Sequence, residues 1–210
     1  MGKVIVFQGD SITDAGRSRE DVPANIGLGG GYPFIAGSYL RFHDAARDWQ
    51  IYNRGISGNR VVDLYARWKI DALNLKPDIL SILIGVNDTW HEKARQNGVE
   101  VPRYEMIFRM LLEWTKKELL ATKIVLLEPF VFLSEVVEDH WIDEINARRE
   151  VVKKLAQEFD TIFIPLQSMF DEALKKNSET TYWLRDGVHP TSAGHQLIAE
   201  AWLKATEGIR

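Results

Sequence analysis

The sequence predicts a three-layer α/β/α sandwich built on a five-stranded parallel β-sheet. Short apolar, β-branched runs alternate along the chain with longer amphipathic segments. Such alternation is typical of β-α-β units, whose right-handed crossovers place helices on both faces of one sheet. The central runs are apolar on both faces, as expected for strands that are covered by helices on both sides.

Five segments have the composition of strands. They are KVIVFQ, WQIYNR, ILSILIG, KIVLLEP and TIFIPL, at positions 3–8, 49–54, 79–85, 123–129 and 161–166. For a sheet of this kind we expect the flavodoxin-like strand order 2-1-3-4-5.

Five longer segments carry apolar residues at helical spacing, at positions 32–46, 61–73, 104–121, 140–159 and 192–207. In the last of them, Ser192 is expected to be the N-cap. The stretch RSREDVPANIGLGGG, at 17–31, is the longest irregular segment. Long loops often form lids or walls of binding sites, and a plain surface loop is equally consistent with this composition.

The composition is that of one globular domain over residues 1–210. Apolar residues make up 45% and charged residues 27% of the chain, unlike disordered or membrane proteins. A net charge of −4 leaves no basic excess for holding a phosphate backbone, so nucleic acid is not expected as a partner. The sequence has no cysteine, which excludes disulfides, thiolate metal sites and a cysteine nucleophile.

The sequence carries no pattern for export or membrane insertion. No uncharged apolar run approaches the roughly 18 residues that a membrane helix needs. The first residues, MGKVIVFQGDS, lack the long apolar segment and cleavage site of a signal peptide. A cytoplasmic location is therefore expected, with no membrane partner.

Chemically useful residues follow the predicted strands. Ligands of open parallel sheets bind beyond the carboxyl ends of the strands. Ser11 follows the first strand, Gly58 the second and Asn87 the third, while Asp186 and His189 precede the last helix. Loops at one edge of the sheet thus supply the residue types of an acyl-transfer site.

Ser11 is the candidate nucleophile of that site. A serine hydroxyl attacks a carbonyl only when a base removes its proton, and histidine is suited to this near neutral pH. In a tight turn, the carboxylate of Asp186 can bind one nitrogen of His189 and leave the other to face Ser11. Each residue also has a structural interpretation: an N-cap serine, and a loop histidine bonded to a turn aspartate.

Three donors from three loops are candidates for an oxyanion hole. Gly58 can bring a backbone N–H close because it has no side chain. Asn87 offers a side-chain amide, and Ser11 a backbone N–H at the start of a helix. A turn glycine and an Asx-turn asparagine are the structural alternatives.

Four blocks, GDSIT, GISGN, GVND and DGVHP, occur in this order after successive strands. With them the sequence resembles the SGNH hydrolases, also called the GDSL esterase/lipase family, over residues 4–202. The resemblance implies a flavodoxin-like fold, Ser11 as nucleophile, His189 as general base and then acid, and Asp186 as the orienting carboxylate. It also implies an oxyanion hole made by the Ser11 N–H, the Gly58 N–H and the Asn87 side chain. Asp10 and Asp88 are expected to hold their loops by accepting backbone hydrogen bonds.

The longer blocks GDSITDAGR, NRGISGNRVVDLYARW, IGVNDTW and RDGVHPTSAGH resemble those of intracellular bacterial acetylxylan and acetyl-xylooligosaccharide esterases. This implies a cytoplasmic serine esterase that removes acetyl groups from oligosaccharides through an acyl-enzyme on Ser11. Some members of that branch form large homo-oligomers, so a homo-oligomer is left open. Substrate contacts are expected from aromatic and basic residues around the rim, namely Trp90, Trp183, Tyr32, Arg60 and Arg17. Packing in the core is the alternative for the two tryptophans.

Other functions stay open on these residues. The same catalytic set serves lysophospholipases, acyl-thioesterases and carbohydrate O-acetyltransferases, and a flavodoxin-like binding domain for flavin or a phosphorylated ligand is a non-catalytic alternative. No metal or organic cofactor is expected. The remaining histidines, His43, His91, His140 and His195, form no pair at ligand spacing, and His195 is expected to be an ordinary helix residue.

Overall fold

The computed structural model describes residues 2–20 and 27–210. Its centre is a five-stranded parallel sheet with the order β2-β1-β3-β4-β5. The strands are β1 (Lys3–Gly9), β2 (Trp49–Asn53), β3 (Ile79–Leu83), β4 (Lys123–Leu127) and β5 (Ile162–Ile164). The predicted sheet and strand order are therefore confirmed.

The described residues form nine α-helices and two 3-10 turns. The helices are α1 (Ser11–Asp14), α2 (Tyr32–His43), α3 (Val61–Asp71), α4 (Val86–Arg95), α5 (Val101–Glu118), α6 (Asp139–Glu158), α7 (Leu166–Ala173), α8 (Thr180–Trp183) and α9 (Ser192–Ala205). The turns are Leu73–Leu75 and Glu207–Ile209. The five predicted helices are present, with ends within three residues of those expected. None of the helices in the described part of the chain is long and apolar enough to span a bilayer.

Apolar side chains of the sheet point alternately to two cores. Phe7 packs with Tyr32 of α2, Phe170 of α7 and Trp202 of α9 on one face. Its neighbour Val6 packs on the other face, in a core shared with α3, α5 and α6. This alternation along a strand produces the three layers, because each face needs its own cover of helices.

Helix α9 begins one residue earlier than its predicted cap implies. Thr191, and not Ser192, is the N-cap, and its Oγ1 accepts a hydrogen bond of 3.3 Å from the N–H of Gly194. Thr191 has the extended backbone of an N-cap, whereas Ser192 is already helical. The predicted loop at 17–31 is described only at its ends, because residues 21–26 lie outside the described residues.

Asn53 ties the end of β2 to the segment that follows Ser11. Its buried amide nitrogen donates to the carbonyls of Thr13, at 2.6 Å, and Leu28, at 2.8 Å. Its amide oxygen accepts the N–H of Gly55 at 2.9 Å. Gly55 also lies so close to α1 that a Cβ there would sit 2.4 Å from the Asp14 nitrogen. The Asn53 side chain thus holds the first two loops of the site together, and glycine at position 55 allows them to lie this close.

We expect Asn53→Ala to destabilise the protein by about 2–4 kcal/mol, because it leaves buried carbonyls and one N–H without partners. Urea unfolding followed by circular dichroism measures this free energy. Asn74→Ala is the matched control, since Asn74 is exposed, and it should change the free energy by less than about 0.5 kcal/mol. Equal values for the two variants would show that Asn53 does not hold these loops.

Candidate active site

Ser11 lies where β1 has ended and α1 begins. The capping role belongs to Asp10, whose Oδ1 accepts the N–H of Ile12 at 3.0 Å. Ser11 is the first residue of α1, and its Oγ lies 2.8 Å from Nε2 of His189. The interpretation of Ser11 as an N-cap is therefore excluded, and its hydroxyl is bound to an imidazole instead.

His189 is held from its other side by Asp186. His189 Nδ1 lies 2.7 Å from Asp186 Oδ2, and Asp186 Oδ1 accepts the backbone N–H groups of Val188 and His189 at 3.1 and 2.8 Å. Burial favours the neutral acid, but these hydrogen bonds outweigh it and lower the pKa of Asp186 below its ordinary value. The carboxylate is thus charged at neutral pH and accepts the Nδ1 proton. Nε2 is left as the acceptor for the Ser11 hydroxyl.

The turn between Asp186 and His189 requires glycine. Gly187 has a φ of +83°, and a Cβ there would lie 2.4 Å from the carbonyl oxygen of Phe132. Ser134 Oγ donates to the Asp186 carbonyl at 2.8 Å and fixes the turn further. The motif DGVH therefore specifies a backbone shape as well as two side chains.

Three residues with available hydrogen-bond donors line the cavity into which Ser11 opens. The backbone N–H groups of Ser11 and Gly58 make no hydrogen bond within the described residues, and Gly58 has a φ of +83°. Asn87 Nδ2 donates one hydrogen to the carbonyl of Asn59 at 3.1 Å, which leaves its second hydrogen for a ligand. Ser11, Gly58 and Asn87 all line one cavity, so together they can stabilise an oxyanion.

The cavity has a volume of about 710 Å³. Its lining includes Ala15, Gly16 and Gly30, and α4 contributes Trp90 and Arg95. The Trp90 ring lies 5.8 Å from the His189 ring, so this predicted contact residue stands beside the reacting groups. Within residues 2–20 and 27–210, no three acidic or histidine side chains are grouped so as to hold a metal ion.

The structure does not bring the other predicted contact residues into the cavity lining. Trp183 is only 8% exposed, packs in the core and donates its indole N–H to the Asn177 carbonyl. Tyr32 is fully buried against Phe7, and its hydroxyl lies 3.0 Å from Thr13 Oγ1. Both aromatic rings face inward because they complete the core beneath the loops, which is the packing alternative noted for Trp183.

The two predicted basic contacts are also engaged elsewhere. Arg60 pairs with Asp63 at 2.9 Å and donates to the Asn97 carbonyl at 2.7 Å. Arg17 Nε donates to the Gly55 carbonyl at 2.6 Å. Both guanidinium groups hold neighbouring loops together. Their place near the site is therefore explained by a structural role, without contact to a substrate.

His195 is a cavity residue that the sequence pattern did not identify. It is 9% exposed, and its Nδ1 accepts the N–H of Tyr32 at 3.2 Å. Burial, together with the charges of His189 and Arg185, lowers the pKa of His195 to about 4. The ring is therefore neutral at pH 7 and carries its proton on Nε2. Its place in the first turn of α9, close to the DGVH block, was the feature of the sequence that could have predicted a position in the cavity.

Two buried carboxyl groups fix the loops, as expected. Asp10 binds the N–H of Ile12, and Asp88 binds the N–H of Val61 at the start of α3 with both oxygens, at 3.1 and 3.3 Å. Burial raises the pKa of each to about 7. The charge of Asp14 raises the pKa of Asp10 further, and the charge of Asp10 raises that of Asp88. Asp88 thereby joins the Asn87 helix to the loop that carries Gly58.

The fold and this arrangement of side chains agree with a family assignment. The model of the GDSL-like Lipase/Acylhydrolase family matches residues 7–197, so the chain belongs to that family. It is a carboxylic ester hydrolase, and its substrate is a small-molecule ester.

Relatives of known name or structure cover nearly the whole chain. An acetylxylan esterase from Geobacillus stearothermophilus is 36% identical over 97% of this chain and 93% of its own length. The crystal structure of Axe2, an acetylxylan esterase from the same organism, is 35% identical with a TM-score of 0.88, over 97% of this chain and 94% of that one. A Parabacteroides merdae structure assigned as a GDSL-like lipase is 46% identical with a TM-score of 0.93, over 99% and 96% of the two chains.

We expect the burial of Asp88 to make stability depend on pH. Its pKa is about 7 in the folded protein and 3.8 as the ordinary value, so the folded state binds more protons between these values. Stability must then fall as pH rises through that range, by up to about 1.4 kcal/mol per unit. Asp88→Asn removes this term. Relative to the variant, the wild type should lose about 1–3 kcal/mol between pH 5 and pH 8, measured by urea unfolding.

Asp63→Asn is the matched control for this measurement. Although burial opposes the effect, hydrogen bonds from Arg60 lower the pKa of Asp63 below 3.8. Asp63 is therefore charged in both states above pH 5, and its variant should differ from the wild type by a constant amount. A constant difference for Asp88→Asn as well would contradict the buried, proton-binding carboxyl.

Proposed function

We propose that this protein is a serine esterase that removes short acyl groups, chiefly acetyl, from carbohydrates such as acetylated xylooligosaccharides. The observation that carries the proposal is the hydrogen-bonded series Ser11 Oγ, His189 Nε2 and Nδ1, and Asp186 Oδ2, with separations of 2.8 and 2.7 Å. This series opens into a cavity that also presents Gly58 and Asn87. The likeness to an acetylxylan esterase over 97% of the chain supports the choice of substrate.

In the first half of the reaction, His189 Nε2 takes the proton of Ser11 as Oγ bonds to the acyl carbon. The Asp186 carboxylate stabilises the imidazolium that forms. The negative oxygen of the tetrahedral intermediate accepts hydrogen bonds from the Ser11 N–H, the Gly58 N–H and the Asn87 amide. One such donor typically contributes about 2.7–4 kcal/mol to the lowering of the barrier. The intermediate then expels the alcohol, which takes its proton from His189.

In the second half, water attacks the acyl group on Ser11. His189 now acts as the base towards that water, and a second tetrahedral intermediate forms at the same three donors. Its collapse releases the carboxylic acid and returns the proton to Ser11 Oγ. Both halves use one histidine, so its fixed orientation towards Asp186 serves the reaction twice.

The cavity lining favours a short acyl group. Burying each methylene of an acyl chain contributes about 0.8 kcal/mol only when an apolar surface receives it. The described lining is mostly polar, cationic or glycine, and Ile12, Trp90 and Pro190 are its larger apolar members. That is enough apolar surface for a methyl group and one face of a sugar ring, for which an indole is well suited.

We expect Ser11→Ala to lower kcat/KM for p-nitrophenyl acetate by about 10⁴-fold or more, because no other group supplies the nucleophile. His189→Ala should have a similar effect, and Asp186→Ala a smaller one, since an orienting group is partly replaceable. Ser57→Ala is the matched control, because Ser57 lines the same cavity but its hydroxyl binds Asp14. Its loss should stay below about tenfold. Near-full activity of folded Ser11→Ala would contradict the acyl-enzyme.

We expect acetyl esters to be preferred in a panel of acetylated xylooligosaccharides, acetylated monosaccharides, long-chain p-nitrophenyl esters, lysophospholipids and acyl-CoA. The physical reason is the lack of an apolar surface for a long chain in the described lining. The measurement is kcat/KM for each ester. Higher values for lysophospholipids or acyl-CoA would favour a lysophospholipase or thioesterase, and transfer of acetyl to an added sugar faster than hydrolysis would favour an O-acetyltransferase.

A further inference from the structure

The charged groups that line the active-site cavity are of one sign. Arg95, at the end of α4, and Arg185, beside the DGVH turn, are both in the lining, together with three histidines. Among the described residues, no aspartate or glutamate lines the cavity. The chain as a whole has a net charge of −4, so the cationic lining is a local feature and not a consequence of composition.

Within the described residues, neither guanidinium group links two elements of the fold. Arg95 is exposed and forms no ion pair within the described part of the chain. The side chain of Arg185 is 69% exposed, and the one ion pair it forms with a described residue is with Asp186, at 4.0 Å. That carboxylate is already taken by His189 and two backbone N–H groups. By contrast, Lys93, on the same helix as Arg95, is paired with Glu144 at 3.3 Å.

The positive charge acts on two histidines of the cavity lining, His91 and His195. The pKa of His91 is lowered by burial and by the charges of Arg60 and Arg95. The pKa of His195 is lowered by burial and by the charges of His189 and Arg185. A ligand in the cavity therefore meets a positive potential, which attracts anions and raises their local concentration.

We propose that Arg95 and Arg185 bind a carboxylate on the alcohol part of the ester, so that the preferred substrates are acetylated oligosaccharides that carry a uronic acid. The proposal rests on the esterase function proposed above and specifies its substrate class. A guanidinium group binds a carboxylate through two parallel hydrogen bonds, and either arginine alone can do so. The Trp90 indole lies beside His189 and lines the same cavity as both arginines, so it provides a surface for the sugar ring.

A carboxylate fits this site better than a phosphate. Phosphate sites usually add several backbone N–H groups to their cationic side chains. In the described lining, the N–H groups of Ser11 and Gly58 serve the oxyanion, so they are not left for a second anion. Positive potential also stabilises that oxyanion, and such an effect would raise the rate for every ester, whatever its charge. Substrate pairs that differ only in charge separate the two effects.

The test uses two pairs of acetyl esters. One pair is an acetylated xylooligosaccharide whose uronic acid branch carries either the free carboxylate or the corresponding amide, and the other is 4-acetoxybenzoate and 4-acetoxybenzamide. For each ester, kcat and KM are measured at about 20 mM and about 500 mM NaCl, because salt screens exposed charges. We expect the wild type to prefer the anionic ester in kcat/KM by about tenfold at low salt and by much less at high salt.

The double variant Arg95→Gln/Arg185→Gln should reduce the anionic-to-neutral ratio of kcat/KM about tenfold at low salt, chiefly through KM of the anionic ester. Arg47→Gln is the matched control. It removes the same charge from the opposite edge of the sheet, just before β2, where Arg47 pairs with Asp44. It should leave the ratio unchanged.

Three results would overturn the proposal: a wild-type ratio near one at low salt, an equal loss on both esters in the double variant, or the same loss of ratio in Arg47→Gln. A preference for 4-acetoxyphenyl phosphate over 4-acetoxybenzoate would overturn the assignment to a carboxylate. Failure of the underlying esterase function is recognised separately, since the wild type would then not hydrolyse p-nitrophenyl acetate at all.

Discussion

The hydrogen bond between Ser11 and His189 joins two residues that are 178 positions apart in the chain. It can form only because β1 lies inside a parallel sheet, between β2 and β3, so that its carboxyl end meets the loops that follow its neighbours. Buried strand pairing and the two apolar cores hold that edge in place. A contact of 2.8 Å between two small side chains thus depends on the whole three-layer arrangement.

Aspartates then fix each loop at this edge. Asp10 caps α1, and Asp14 accepts hydrogen bonds from the N–H and the hydroxyl of Ser57. Asp88 accepts the N–H of Val61 at the start of α3, and Asp186 binds His189. Each accepts at least one backbone N–H, which a carboxylate can do with two oxygens at once. The burial of Asp10 and Asp88 raises their pKa to about 7, so the rigidity of the site is obtained at some expense in stability at high pH.

The sequence predicted the regular strands and helices, and the turns whose shape depends on a few neighbouring residues. Strand composition and alternation predicted the sheet, and the glycine and aspartate spacing predicted the turns around Ser11 and His189. The directions of Trp183, Tyr32 and Arg60 were not predictable in this way, because tertiary packing decides whether a residue near a motif faces the cavity or the core. His195 was overlooked for the same reason, and α1 and α8 are too short for a helical period to show. The roles of the site residues stay predictions.

Helix α4 divides its residues between two tasks. Its first turn carries the buried Asn87, which lines the cavity, and the buried Asp88, which binds the start of α3, while its last turn carries the exposed Arg95. Substitutions in the last turn therefore leave the packing beneath the first turn intact. Duplicated copies of such a gene can diverge in what they recognise through changes along one outer stretch of helix, and still inherit the hydrolytic apparatus unaltered.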